Sequence, residues 1–273
     1  MTGTLRERTI LLSGGSRGIG LAIAKRAARD GANLVLLAKT AQPHPRLEGT
    51  IYTAAEEIEA AGGRALPIVG DVRDEASVVD AVSRAVEEFG GIDIVVNNAS
   101  AINLGGSAEI EMRRFDLMHD INTRGTFLLT RTALPHLRGS DDPRILSLSP
   151  PLNLSEKWLG AYPAYMLAKY GMTLATLGIG AETGIPAACL WPRTTIQTAA
   201  VLNVLGGEEL FRRSRTPEIY ADAAHAVLVG PGEDMAGGQL LCEDVLAESG
   251  VTDFARYSPG VDETDLHPDA FVD

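Results

Sequence analysis

The sequence predicts an α/β domain: a doubly wound sheet of about seven parallel strands with helices on both faces. Three observations predict it. Short apolar runs recur along the chain, stretches with helical spacing separate them, and the first run ends in a glycine-rich turn that opens a helix. Strand, turn and helix in that order, repeated, specify parallel strands joined by right-handed crossovers.

The elements follow one another without a strong linker. "TILLSGG" (9–15) is a strand running into Gly-Gly, and "GIGLAIAKRAARDGA" is a helix with Ile19, Ile23 and Ala27 four apart, closed by Gly31. "NLVLLA" is the next strand. "TAQPHPRLEGT" (40–50) reads as a long exposed loop. The strand "ALPIVGD" precedes the helical "DEASVVDAVSRAVEEFG", and "IDIVVNNAS", "RILSLS", "PAACLWP" and "GGQLLCED" supply the remaining strands. With 273 residues, 45% of them hydrophobic, the chain can bury one large core, so residues 1–257 read as a single domain. Residues 258–273 read as an acidic tail lying over the surface or a neighbouring subunit.

Composition removes several function classes. A formal charge of −12, with no local basic patch, disfavours nucleic acid and anionic membranes as partners. No stretch approaches the roughly 18 apolar residues of a membrane span, and the charged N-terminus does not suit a secretion signal, so a cytoplasmic protein is expected. Cys189 and Cys242 each sit in an apolar run and read as core thiols, not as a disulfide or metal pair, and no metal site is expected. Only four of the 24 basic residues are lysines, Lys25, Lys39, Lys157 and Lys169, so each position carries information.

In "SGGSRGIG", Gly14, Gly18 and Gly20 fall at the strand-to-helix junction. A backbone without Cβ can approach a pyrophosphate there, while the new helix offers free N–H groups and its positive end. The alternative is that the glycines only end the strand and allow close packing. A phosphate loop is excluded, because no Gly-Lys-Ser/Thr follows. The dinucleotide reading makes the fold Rossmann-type. Further on, an NAD site has an acid for the ribose 2′-hydroxyl, whereas this chain has Lys39 in "LLAKT" and Arg17 in the turn. Two cations suit a 2′-phosphate, so NADP(H) is preferred over NAD(H), although a solvated Lys and Arg are also ordinary at such places. Asp71 and Val72 in "GDVRD" can receive the adenine, while Asn97 and Asn98 either serve the site or cap their strand.

Tyr165 and Lys169 lie four apart in the helical "PAYMLAKYGMTLATLG" and share one face. Together with the glycine turn, "NNAS" and Asn122 in "DINTRGTF", they resemble the short-chain dehydrogenase/reductase family over most of the chain. Within it, "INTRGTF", "SPPLNL" and "LWPRTTIQTAA" resemble the hydroxysteroid dehydrogenase-like branch, whose sterol-carrier domain finds no counterpart in this sequence. The resemblance implies an oxidoreductase acting on a small carbonyl or alcohol. It implies that Lys169 lowers the Tyr165 pKa and holds the nicotinamide ribose, and that Tyr165 exchanges a proton with the substrate oxygen as hydride moves. Asn122 would hold a relay water, and Ser16, Ile19, Ala99, Ile196 and Thr198 would complete the cofactor contacts.

Two departures stand out. Where the family has a serine that donates to the substrate oxygen, "RILSLSP" has Pro150, which donates nothing. Loss of one such donor costs about 10² to 10³ in rate. Ser149, Asn153 and Ser155 are candidates to replace it, with Ser155 favoured. Arg193 stands where the family commonly has glycine. The segment 199–215 is expected to form the substrate lid. Its Leu202, Val204, Leu205 and Leu210 suggest an apolar substrate, or else a subunit contact. A homodimer or homotetramer is the family habit. The rival reading is a cofactor-binding protein with vestigial catalysis and a regulatory or assembly role.

Overall fold

The computed structural model describes residues 3–43 and 48–273. Part of the loop expected over 40–50 therefore lies outside the described residues, and the described parts on either side carry neither helix nor strand.

The first half runs β1 (Thr9–Ser13), α1 (Gly18–Ala28), β2 (Asn33–Ala38), α2 (Ile51–Ala60), β3 (Arg64–Val69), α3 (Glu75–Phe89) and β4 (Ile94–Asn97). Then come α4 (Met112–Met118), α5 (Gly125–Leu137), β5 (Arg144–Ser147), α6 (Glu156–Ala161), α7 (Pro163–Thr183) and β6 (Ala187–Trp191). The chain continues through α8 (Gly207–Arg212), α9 (Glu218–Val229), α10 (Gly232–Met235), β7 (Gly238–Leu241) and α11 (Cys242–Glu248). All neighbouring strands are parallel, in the order β3-β2-β1-β4-β5-β6-β7.

Both faces of this sheet are covered, which explains the unbroken apolar runs. Ile10, Leu12, Leu34, Leu36 and Val96 point to one side and pack with residues of α1, α2, α9 and α11. Leu11, Val35, Leu37, Val95 and Ile145, one step out of phase, face α3, α5 and α7. Between β4 and β5, Asn97 donates to Thr130 Oγ1 (3.0 Å) and Ser147 Oγ (3.1 Å), a buried polar link that fixes the strand ends; Asn97 is thus structural. Cys189 and Cys242 are buried free thiols. Among the described residues, no helix is long and apolar enough to cross a membrane.

The chain winds outward from β1 to β3 and then returns to the other side of β1 as β4. Ligands of such sheets bind where the order reverses, beyond the carboxyl ends of the strands. Gly14 and Asn98 directly follow those two strands. The segment 258–273 returns over the same edge: Pro268 bridges Thr194, and Phe271 is fully buried against Tyr165, Tyr170 and Trp158.

Candidate active site

A cavity of about 600 Å³ runs along the carboxyl edge, with the glycine turn at one end and Tyr165 and Lys169 at the other. At the first end Gly14 and Gly18 have φ of 76° and 57°, in the left-handed region that glycine adopts without strain. At Gly18 an added Cβ would meet nothing nearer than 3.7 Å, whereas at Gly20 it would come within 2.5 Å of Asn98 Nδ2 and 2.7 Å of Gly14 O. Gly18 thus leaves room for a ligand and faces the cavity, while Gly20 is outside its lining and serves packing. Helix α1 starts from Arg17 with no side-chain cap and no acid in its first turn, so its positive end is open to an anion. These features fit a dinucleotide pyrophosphate.

Asn98 has two duties. It lines the cavity, and its Nδ2 donates to Ser13 O and Gly14 O, each at 2.9 Å, which ties the end of β4 to the turn. Ser16, Ile19, Val72 and Ala99 line the same stretch. Arg17 and Lys39 both border it. The Arg17 guanidinium, however, is held by Glu48 O (2.9 Å) and Gly49 O (2.8 Å), and Lys39 lies 3.5 Å from Asp71. Hydrogen bonds from Arg73, helped by the Lys39 charge, hold the Asp71 carboxyl down at about 2, so it is an anion at neutral pH.

At the other end, α7 presents Tyr165 and Lys169 one turn apart, both buried and both lining the cavity. The helix lies close to the turn before α5, where Thr123 Oγ1 donates to Ala168 O (3.0 Å) and Gly171 leaves space for Thr123. That turn, His119–Arg124, is widened: Gly125 N reaches back five residues to Asp120 O. It carries Asn122, whose Oδ1 accepts from Ala101 N (2.7 Å) and whose Nδ2 donates to Ala101 O (3.0 Å). The Asn122 side chain therefore pins the loop after β4 and does not line the cavity.

Lys169 Nζ donates to Leu148 O at 2.6 Å and stands 5.0 Å from the centre of the Trp191 ring. Burial pulls its pKa down to about 7, against the opposing pull of Asp269. Burial, with the Asp269 charge second, pushes the Tyr165 phenol above its ordinary value. This reverses the direction expected from the sequence. One helical turn puts the two side chains on one face, but the ammonium is directed at Leu148 O and the phenol sits in an apolar wall beside a carboxylate.

The hydroxyl expected near Pro150 is absent from the cavity. Ser149 and Pro150 are turned into the core, where Thr173 Oγ1 bonds both Ser149 Oγ (2.9 Å) and Pro150 O (2.8 Å). Asn153 is held by Tyr170 and Asp273. Ser155 is exposed at the start of α6 and does not line the cavity, contrary to expectation: the rigid Pro-Pro pair carries the following residues outward.

After β6, Arg193 grips Asp244 with its guanidinium, and the following residues still bring Ile196 and Thr198 to the cavity. In the lid, Val204 and Leu205 line it, joined by Val201, but Leu202 and Leu210 do not; Leu210 packs at Gly206 instead. Sequence reasoning missed Trp191, Tyr220 and the carboxyl-terminal Asp269 and Ala270, all in the wall. The apolar "AFV" within an otherwise acidic tail was the signal that this segment docks.

A profile of the short chain dehydrogenase family matches residues 8–195. The whole chain is 53% identical to hydroxysteroid dehydrogenase-like protein 2 of Danio rerio and covers 65% of it. Identity to the protein of the same name in Homo sapiens is 48%, also across 100% of this chain and 65% of that one. The crystal structure of a short chain dehydrogenase from Mycobacterium thermoresistibile, 58% identical, superposes with a TM-score of 0.92 over 99% of this chain and 96% of the other.

Proposed function

The chain belongs to the short-chain dehydrogenase family of oxidoreductases, and from that premise we propose that it interconverts a carbonyl and an alcohol on an apolar small molecule, with NADP(H) as cofactor and Tyr165 as the proton-exchanging group. One observation carries this reading: a single cavity joins an open helix terminus and two cations to a buried Tyr-Lys pair. Bound at that edge, the cofactor would supply or accept hydride.

The chain's own residues would do the rest. Gly14, Ser16, Gly18 and Ile19 would receive the pyrophosphate, and Lys39 with Arg17 would select the 2′-phosphate. Asp71 and Val72 would meet the adenine, Asn98 and Ala99 the middle of the dinucleotide, and Ile196 and Thr198 the carboxamide. Lys169 would hold ribose hydroxyls, and Tyr165 would pass its proton to a carbonyl oxygen. A phenol kept protonated by its surroundings suits the reducing direction. Asn122 would act indirectly, by fixing the loop beside the site. Val201, Val204 and Leu205 support an apolar substrate. The same reading includes a homodimer or homotetramer, for which the exposed Phe127, Leu167 and Leu174 of α5 and α7 offer an apolar contact surface; light scattering at a single mass of one chain would count against it.

The test is NADPH oxidation with a panel of apolar aldehydes, ketones and enoyl compounds, comparing wild type with Tyr165→Phe. Turnover by wild type and its loss by at least about a hundredfold in the variant are expected. The rival, a nucleotide-binding protein without catalysis, is favoured by Pro150. It prevails if both proteins bind NADPH and neither oxidises it.

A further inference from the structure

We propose that Asp269 is the second hydrogen-bond partner of the substrate oxygen beside Tyr165, taking the role that Pro150 leaves empty; this rests on the oxidoreductase reading above. The segment carrying it is anchored on both sides. Asp269 N donates to Arg193 O (2.9 Å), Pro268 bridges Thr194, Trp191 Nε1 donates to Ala270 O (2.9 Å), and Phe271 is buried. These contacts fasten Asp269 beyond the end of β6, the strand next to β5 and Leu148, in the wall that also holds Tyr165 and Lys169.

Asp269 and Tyr165 both line this end of the cavity with hydrogen-bonding capacity to spare. Among the described residues Asp269 accepts one hydrogen bond, from Ala270 N at 2.7 Å to Oδ1, and makes no ion pair. Lys169 Nζ donates to Leu148 O, and among the described residues the Tyr165 hydroxyl makes no hydrogen bond. Asp269 is half-buried and open to the cavity, so a ligand there can reach it. An oxygen lying between a phenol and a carboxylic acid would satisfy both. Of the residues flanking Pro150 between Ser147 and Ser155, only Leu148 lines the cavity, and its side chain donates nothing.

Protonation decides whether Asp269 can donate. The charged and titratable groups facing it are Tyr165 and Lys169 of α7, Tyr220 of α9, and Cys242 and Glu243 of α11. Burial, with Glu243 assisting and Lys169 opposing, raises the carboxyl to about 7. Below that pH the group is a neutral acid able to donate to a carbonyl oxygen, a role open to carboxyl groups in apolar sites. As it ionises, the donor is lost and an anion faces the oxygen on which negative charge develops. No bond to Asp269 forms or breaks; the proton transferred still comes from Tyr165.

The experiment measures reduction of decanal, 2-decanone and cyclohexanone by NADPH as a function of pH, for wild type, Asp269→Ala, Asp269→Asn and Tyr165→Phe. Melting curves and NADPH quenching of tryptophan fluorescence confirm that each variant is folded and loaded. Asp269→Ala should lower kcat about a hundredfold near pH 6 with the KM for NADPH unchanged. Asp269→Asn, whose amide still donates, should recover at least about tenfold of that loss. Wild-type kcat should fall by up to about tenfold per unit above pH 7, and Asp269→Asn should fall less steeply, keeping only the part that loss of the Lys169 proton causes in both proteins. Retention of wild-type rate by Asp269→Ala, or equal losses in both variants with one pH profile, would overturn the proposal while leaving the Tyr165 reading intact. Absence of turnover by wild type on every probe defeats that reading, and this proposal with it.

Discussion

The ring of Phe271 stands 6.1 Å from the ring of Tyr165, so the end of the cavity that holds Tyr165 is walled by a segment far downstream in sequence. Phe271 also meets Tyr170 at 5.3 Å and Trp158 at 5.7 Å. Truncating a fully buried phenylalanine costs about 3 to 5 kcal/mol. Phe271→Ala should therefore lower the melting temperature by several degrees and admit water to Tyr165. Calorimetry with an iodide-quenching assay checks this, and an unchanged melting point would mean that the segment is only loosely docked.

Selectivity for the 2′-phosphate should divide unequally between the two cations. Lys39 is more than half exposed and, among the described residues, paired only with Asp71, whereas Arg17 also holds the backbone at Glu48 and Gly49. Lys39→Ala should weaken NADPH by about 10- to 100-fold and NADH by much less. Arg17→Ala should weaken both, because it releases the loop as well as the charge. Fluorescence titration with each nucleotide gives the comparison, and an unchanged NADPH/NADH ratio for Lys39→Ala would remove Lys39 from the selectivity.

The glycines of the turn should separate into two kinds. At Gly20 a methyl group collides with Gly14 O and Asn98, so Gly20→Ala should be poorly folded. At Gly18 space is open, and the cost is about 1 to 2 kcal/mol for a left-handed backbone. Gly18→Ala should fold, melt a few degrees lower, and lose NADPH affinity by more than about tenfold. Full retention of affinity would reduce the turn to a packing device.

Stability should depend on pH through Asp269. Its carboxyl is raised from 3.8 to about 7, so the neutral form favours the folded state, and that stability is lost as pH rises from about 4 through about 7. Asp269→Asn removes this loss. Its melting-point advantage over wild type should be smallest near pH 4, grow across that window and level off above it. Lys169, lowered from 10.5 to about 7, works in the opposite sense, losing stability as pH falls through that range, and is present in both proteins. A constant difference at every pH would show that Asp269 does not titrate in this window.

Much of the fold was legible because each strand lies between two helical layers. Runs such as "NLVLLA" therefore carry no polar interruption, and glycines mark their ends. That Tyr165 and Lys169 share one helix face was legible from their spacing, and their place in a site only from the glycine turn, "NNAS" and Asn122 beside it. The electrostatics were not, since spacing fixes a shared face but not the aim of an ammonium that turns to Leu148 O. Ser155 was misjudged because closeness in sequence to Pro150 says nothing about the path of a Pro-Pro loop. Asp269 was missed because only tertiary docking of the last residues brings it to a strand end.

The most direct measurement is a crystal structure with NADPH bound. The account predicts the nicotinamide between Ile196 and Tyr165, its ribose hydroxyls within hydrogen-bond reach of Lys169 Nζ, and the Tyr165 hydroxyl facing the hydride-bearing carbon. A nicotinamide directed away from Tyr165, or a Lys169 that makes no contact with the ribose, would contradict it.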